Sequence, residues 1–290
     1  MKPAAFDYTA PLDLNSALHE KSQHGDDAKI LAGGQSLIPA MNFRVSQPTM
    51  LIDLNKLDDL RYIKEENGEL RIGAMTVQTQ VEKSDLVKNN NPLLHETIPH
   101  IAHMQIRNRG TFGGNLAHAD PASELPVVAT ALNARFHAQS AKSDRWLEAK
   151  EFFLGMFTTG LNPDEILTEI SFPKFPDKTG WSFQEISRRH GDYAMAGVAV
   201  LVTLDSKGVC EMARLVYLNV GDGPVDAVQA AEILTGQELS PESIEEAVNT
   251  AAKNEITPFG NVHASPDYQK HLCKVLTRRA INTAVDRAKH

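Results

Sequence analysis

Ala32-Gly33-Gly34-Gln35-Ser36-Leu37 and Thr111-Phe112-Gly113-Gly114-Asn115 each set two adjacent glycines beside hydroxyl or amide side chains. Glycine lets the backbone take positive φ angles and come close to a ligand. Successive N–H groups in such a bend can converge on an anion, and serine and threonine hydroxyls add further donors. A single glycine pair also reads as an ordinary turn. Two of them in one chain, each beside an apolar segment, suggest that both phosphates of a dinucleotide are held without lysine or arginine.

Other phosphate chemistries fit poorly. A G-x-G-x-x-G run between strand and helix, with an acidic residue about twenty positions on, signals the single-wound nucleotide fold, and that run is missing. Asp53 stands at a tempting distance from the first bend, but it ends an apolar strand and reads as structural. Proline is tolerated only at the start of a helix, so a helix facing the phosphates can begin at Pro39 and no earlier. There is no G-x-x-x-x-G-K-[ST] loop, which argues against ATP hydrolysis. His100 and His103 have a spacing that can bind metal on a helix, yet no third ligand is evident, and no metal site is expected. His118 reads as a packing, surface or hydrogen-bonding group.

The bulk composition narrows the class. The chain has 290 residues, 42% hydrophobic and 23% charged, enough for two domains with sizeable cores. A net charge of −8 argues against a nucleic-acid binder. No apolar run approaches the roughly 20 residues that span a bilayer, and the N-terminus lacks a signal-peptide core, so a cytoplasmic location is expected. Cys210 and Cys273 are the only cysteines. They read as free, partly buried thiols, and they exclude an iron–sulfur cluster with four cysteine ligands from this chain.

The elements around these residues alternate at first. Leu14 to Lys21 reads as an amphipathic helix, Lys29 to Ala32 as a strand entering the first bend, and Met50 to Leu54 as a buried strand. Leu70 to Ala74 alternates behind the hairpin signal Asn67-Gly68. Helices are expected from Val77 to Ser84, from Asn91-Pro92 to about Ala102, and from Pro126 to Leu132. Ala134 to Ala138 and Glu165 to Phe172 resemble strands. The stretch from Pro173 to Gly180 changes composition, and a domain boundary is placed there, dividing the chain into 1–176 and 177–290. Beyond it, Ser182 to Ile186, Val198 to Leu204 and Ala213 to Val220 read as three strands. Helices near Asp226 to Leu234, Pro241 to Lys253 and Pro266 to Arg287 follow, an α+β arrangement.

The first bend, extended to Pro39, joins with the long run Ile106-Arg107-Asn108-Arg109-Gly110-Thr111-Phe112-Gly113-Gly114-Asn115-Leu116-Ala117-His118-Ala119-Asp120-Pro121-Ala122-Ser123-Glu124-Leu125-Pro126. Together they resemble the FAD-binding medium subunit of the molybdenum hydroxylases, the family of carbon monoxide dehydrogenase, quinoline oxidoreductase and xanthine dehydrogenase. Arg188-Arg189-His190-Gly191-Asp192-Tyr193-Ala194 resembles that family's third landmark. The likeness spans almost the whole chain. It implies an FAD domain of the vanillyl-alcohol oxidase (PCMH) type, with α+β subdomains at about 1–55 and 56–176, followed by a small α+β domain with a three-stranded antiparallel sheet.

The resemblance also implies roles for single residues. Ala32, Gly33, Gly34, Gln35, Ser36 and Leu37 would form one pyrophosphate loop and Thr111, Gly113, Gly114 and Asn115 the other. Ile101 would line the cleft, or simply pack its helix. Asp120 and Glu124 lie where relatives reach the ribityl and adenosine hydroxyls, although Asp120 could equally cap a helix before Pro121. Leu167 and Gln184 align with weaker contacts, and Tyr193 would sit against the isoalloxazine ring. Arg107, Arg109, Arg188 and Arg189 could face the cofactor, pair with a partner's acids, or lie solvated on the surface. No residue is expected to be catalytic. In relatives a large subunit with a molybdenum cofactor hydroxylates the substrate, and electrons cross two [2Fe–2S] clusters of a small subunit to the FAD. A dimer of such heterotrimers is the expected assembly. Two rivals remain: a stand-alone FAD-dependent oxidoreductase on the same fold, and a flavin-free scaffold in which the bends are only turns.

Overall fold

The computed structural model describes residues 1–289, arranged around three main sheets. The first is parallel: Met50–Asp53 lies between Asp7–Thr9 and Ala28–Leu31. Helix Leu14–His24 begins where Asp13 accepts the Ser16 N–H at 2.8 Å, and it buries Ala17 and Leu18. A side-chain acceptor at that position satisfies an amide that the helix itself cannot.

The second sheet is antiparallel with five strands, in the order Ile63–Glu66, Glu69–Gly73, Ile166–Phe172, Arg135–Gln139 and Asp144–Glu148. Asn67 and Gly68, with φ of 55° and 77°, make the tight hairpin between the first two strands; both central residues at positive φ is the turn that matches strand twist. Helices Pro92–Thr97, Phe112–His118 and Glu124–Ala131 share a core with this sheet around Leu93, Phe112, Phe136 and Phe172. The Phe136 and Phe152 rings stack there at 4.0 Å.

The third sheet has the order Thr179–Ser187, Ala194–Leu204, Cys210–Leu218 and Val225–Asp226. Strand side chains alternate between faces, and here both faces are covered. Ala199, Leu201, Val216 and Leu218 join the core of the middle segment. Val198, Val200 and Val202 pack with Leu276, Ala280 and Ala284 of the long helix Pro266–Ala288. The C-terminal sheet is thus clamped to the middle segment by an apolar face.

Several expectations need correction. The helix expected from Asn91 to about Ala102 ends at Thr97, and a 3-10 turn, Ile98–His100, replaces its last part. Pro99 lacks the N–H to continue the helix, and Ala102 turns to φ 44°. The helix after the first bend is Leu37–Asn42 and starts ahead of Pro39. Proline is accommodated within the first turn because those amides have no intrahelical partner. The last sheet has a fourth, two-residue strand, Val225–Asp226. Strand Asp144–Glu148 and helix Asp85–Asn90 were not anticipated.

Candidate cofactor-binding site

The first bend leaves strand Ala28–Leu31 and is braced from the neighbouring strand end. Asn55 Nδ2 donates to the Ala32 carbonyl at 2.9 Å, and Asp53 Oδ1 accepts the Asn55 N–H at 2.8 Å. The Tyr8 hydroxyl donates to Asp53 Oδ2 at 2.6 Å, so Asp53 is structural as expected. Gly34 takes φ 72°, and Gln35 Nε2 folds back onto the Gly33 carbonyl at 3.0 Å. Among the described residues, the N–H groups of Gly33, Gly34, Gln35 and Ser36 donate to no protein acceptor. The Ser36 hydroxyl, ahead of helix Leu37–Asn42, makes no capping bond. The result is a row of uncommitted donors on a short arc.

The second segment differs from the expected bend. It is the beginning of helix Phe112–His118, with Thr111 as its cap, and neither of its glycines has positive φ. Its amides are largely occupied: Phe112 N–H donates to the Thr76 carbonyl at 2.8 Å, Gly113 N–H to the Ala74 carbonyl at 2.9 Å and Asn115 N–H to the Thr111 carbonyl at 3.1 Å. Gly114 N–H donates to Thr111 Oγ1 at 3.1 Å. Asn115 Oδ1 accepts from Ser123 Oγ at 2.7 Å, leaving its amide N–H2 as the available donor. The second segment therefore offers side-chain donors, Asn115 Nδ2 and the Thr111 hydroxyl, in place of a row of amides.

Close approach explains its glycines. A Cβ on Gly113 would collide with Ala74, and one on Gly114 would come within 2.6 Å of Thr111 Oγ1 and 3.3 Å of the Ala32 Cβ. A Cβ on Gly33 would run into the Arg109 carbonyl oxygen, with the Gly110 Cα at 2.7 Å. The two segments, far apart in sequence, are in contact through their glycines.

Acidic groups line the next stretch. Asp120 Oδ1 accepts the Ala122 N–H at 2.9 Å, which makes it the cap of a turn and not of a helix. Glu124 opens helix Glu124–Ala131 and is only 6% exposed. Burial first, then the charge of Glu185, pushes its carboxyl up to about 8. His118 is held below its ordinary value by burial. Tyr193 is 68% exposed, and its hydroxyl is raised first by partial desolvation and then by the Asp120 and Glu124 charges.

Ile101 is buried in the central core. Its carbonyl and that of Ala102 accept from Arg107 Nη1 at 2.9 Å and 3.2 Å, while Arg107 Nε pairs with Glu82 at 2.9 Å. Arg107 is thus a buried clamp on the Ile101 segment, unlike Arg109, Arg188 and Arg189, which are exposed. Leu167 is also buried; the carbonyl of its neighbour Thr168 accepts from Ala74 N–H at 2.9 Å, one step from Gly113. Gln184 lies on strand Thr179–Ser187, half-buried. His100 and His103 do not share a helix. His100 Nδ1 stands 3.3 Å from Glu185 Oε1, and His103 packs against Gly191, which has φ 87°. Among the described residues no group of three or more His, Cys, Asp or Glu is placed to hold a metal ion.

Sequence reading missed three supports. Ala74 to Thr76 hold the second segment from behind, although the apolar strand ahead of them was recognised. Asn219 donates from its backbone to the Pro121 carbonyl at 2.8 Å and from Nδ2 to the Ala194 carbonyl at 2.5 Å, tying the acidic turn to the third landmark. Glu185 is the third. No local pattern marks either Asn219 or Glu185, since their partners lie in other segments. A separate open groove of about 950 Å3, lined by Lys178, Trp181, Asp205 and Arg287 among others, lies at the end of the C-terminal helix and includes none of these residues.

Residues 4–175 match the family model for the FAD binding domain in molybdopterin dehydrogenase, and residues 181–284 match that for the CO dehydrogenase flavoprotein C-terminal domain. The chain is 41% identical to the 6-hydroxypseudooxynicotine dehydrogenase complex subunit alpha of Paenarthrobacter nicotinovorans, covering 100% of this chain and 97% of that one. It is 38% identical to the caffeine dehydrogenase subunit beta of Pseudomonas sp. strain CBB1, covering 100% and 98%. Among solved structures, a chain of carbon monoxide dehydrogenase from Hydrogenophaga pseudoflava superposes with a TM-score of 0.95 at 37% identity over 99% of both chains. A chain of quinoline 2-oxidoreductase from Pseudomonas putida 86 does so with 0.94 at 33% identity over 100% of both.

Proposed function

This chain belongs to the family of FAD-binding medium subunits of molybdenum hydroxylases, and on that footing we propose that it is the electron-transfer subunit of such a complex. The observation that carries the reading is the arc of free amides at Gly33–Ser36 set against the glycine-lined start of helix Phe112–His118. A diphosphate needs several donors converging without a Cβ in the way, and this chain supplies them. FAD, when bound, supplies a carrier that can accept and release electrons one or two at a time.

The residues that would hold it are Ala32 to Leu37 at the diphosphate, with Thr111, Gly113, Gly114 and Asn115 opposite. Asp120 and Glu124 would accept from sugar or ribityl hydroxyls. Ile101, Leu167 and Gln184 would bound the cleft, and Tyr193 would cover its mouth. The division at 1–176 and 177–290 would put the cofactor between the two parts. No side chain here is required to act as acid or base on the organic substrate, which would react on another subunit.

The partners we propose are a small subunit with two [2Fe–2S] clusters, which donates electrons, and a large subunit with the molybdenum cofactor, in a dimer of heterotrimers. Cys210 and Cys273 are both buried and unpaired, so the clusters belong elsewhere. The relatives are likewise called subunits and medium chains. The test is to purify the chain with its co-expressed partners and alone. A yellow complex whose flavin is bleached by substrate only when all three subunits are present supports the proposal. Substrate oxidation by this chain alone would favour a self-contained flavin oxidoreductase.

A further inference from the structure

Asn55 follows strand Met50–Asp53 of the parallel sheet, and Arg61 precedes strand Ile63–Glu66 of the five-stranded sheet. Leu54, Leu57 and Leu60 pin the passage between the two sheets into the same apolar cluster as Met75. The 3-10 turn Asp58–Leu60 brings the Arg61 guanidinium back onto Asn55. Every polar atom of the Asn55 side chain is committed. Nδ2 donates to the Ala32 carbonyl at 2.9 Å and to Asp53 Oδ1 at 2.6 Å, and Oδ1 accepts from Arg61 Nη2 at 3.3 Å. A primary amide has two N–H hydrogens and one carbonyl oxygen, so these partners settle which way it points. Arg61 Nη2 also donates to the Asn55 backbone carbonyl at 3.2 Å. The other arm of the guanidinium, Nη1, donates to the Met75 carbonyl at 2.8 Å.

The two ends of this link belong to the two cofactor-holding segments. Ala32 opens the arc of free amides. Met75 sits between Ala74 and Thr76, whose carbonyls accept from Gly113 and Phe112 at the start of helix Phe112–His118. A continuous chain of hydrogen bonds therefore runs from Ala32 through Asn55 and Arg61 to Met75. The contact of Gly33 with Arg109 limits how closely the segments approach, but a steric contact does not resist their separation. A hydrogen-bonded link does. We propose that Asn55 and Arg61 are positioning residues for the cofactor, a strut that holds the two segments at the spacing the diphosphate needs. They act through Ala32 and Met75 and not by touching the cofactor. Asp53, which accepts from Tyr8, steadies the Asn55 end, and Asp58 Oδ1 stands 3.5 Å from Arg61 Nε at the other. This inference rests on the FAD reading of the site.

The test uses the complex with its co-purified partners, stripped of flavin and titrated with FAD. Circular dichroism under the titration conditions establishes that each variant is folded, so a change in affinity is not a change in folded fraction. Asn55→Ala and Arg61→Ala should each weaken FAD binding about tenfold, the size of one lost hydrogen bond to a charged group. The double variant should lose no more than either single one, because breaking one end already disables the link. Asn55→Asp keeps the shape and the acceptor for Arg61 but turns an oxygen toward the Ala32 carbonyl, and it should lose as much as Asn55→Ala. Arg61→Lys presents one ammonium that cannot fork to both acceptors, and it too should lose most of the affinity. If an alanine variant does not fold, these two milder changes decide the question by the same titration. Wild-type affinity in the folded single variants, or a loss of about a hundredfold in the double one as independent effects require, would overturn the strut and leave the FAD reading intact. Failure of the wild-type complex to take up FAD would overturn both.

Discussion

Gly33 lies so close to the backbone of Arg109 that a Cβ at residue 33 would strike the Arg109 carbonyl oxygen. This contact sets the spacing between the arc of free amides and the start of helix Phe112–His118. Gly33→Ala should push the two segments apart with little effect on the three cores. FAD affinity should fall about tenfold or more, equivalent to at least about 1.4 kcal/mol. Measuring flavin bound at equilibrium checks this, and wild-type affinity in the variant would refute the cradle.

Thr111 caps helix Phe112–His118 by accepting the Gly114 N–H. Thr111→Val should cost roughly 0.5–2 kcal/mol of stability from the lost cap and should also weaken FAD binding, while Thr111→Ser keeps both. Urea titration and flavin retention, read side by side, separate the two effects.

Arg107 is buried and serves Glu82 together with two carbonyls of the Ile101 segment. Removing one partner of a buried pair strands the other, at a cost of roughly 3–5 kcal/mol. Arg107→Ala should therefore lower the unfolding midpoint sharply. Arg188→Ala, at an exposed position, should fall within about 0.5 kcal/mol of wild type. Equal effects in the two variants would contradict the clamp.

Glu124 titrates at about 8 in the folded chain against 4.5 as the ordinary value. Between those values the unfolded chain binds fewer protons than the folded one, so the contribution of this group is fully present below about 4.5 and is lost as pH rises toward 8. In the flavin-free chain Glu124→Gln should flatten that decline, seen as a smaller drop in Tm from pH 5 to pH 8. A variant profile that parallels wild type would place the burden on another group.

Cys210 and Cys273 are buried thiols, raised by burial to about 11 and about 12. The thiolate is the reactive form, so neither should be alkylated in native protein near neutral pH. Both should react in urea, which mass spectrometry reads directly.

Much of the fold is written locally. The Asn67-Gly68 hairpin, the proline-led helices after Ser240 and Ser265, and the long apolar strands 194–204 and 210–218 carry their own signals of turn, cap or burial. Local patterns failed where a neighbour decided the outcome. Strand Asp144–Glu148 has polar and aromatic residues in place of clean alternation, and it exists because Arg135–Gln139 offers it an edge. Arg107 reads as a surface cation until Glu82 and two carbonyls close around it.

The sequence alone determined that two segments with paired glycines occur in a chain whose two cysteines leave no room for a cluster with four cysteine ligands, since composition and spacing carry that information directly. Only the tertiary structure decided that the free amides belong to the first segment and side-chain donors to the second. It also decided that the glycines of the second segment serve close contact with Ala74 and Thr111, and that Arg107 closes on Glu82 and the Ile101 segment. Those properties depend on which distant strands supply acceptors and which side chains fill the remaining space, and a chain acquires them only when it packs.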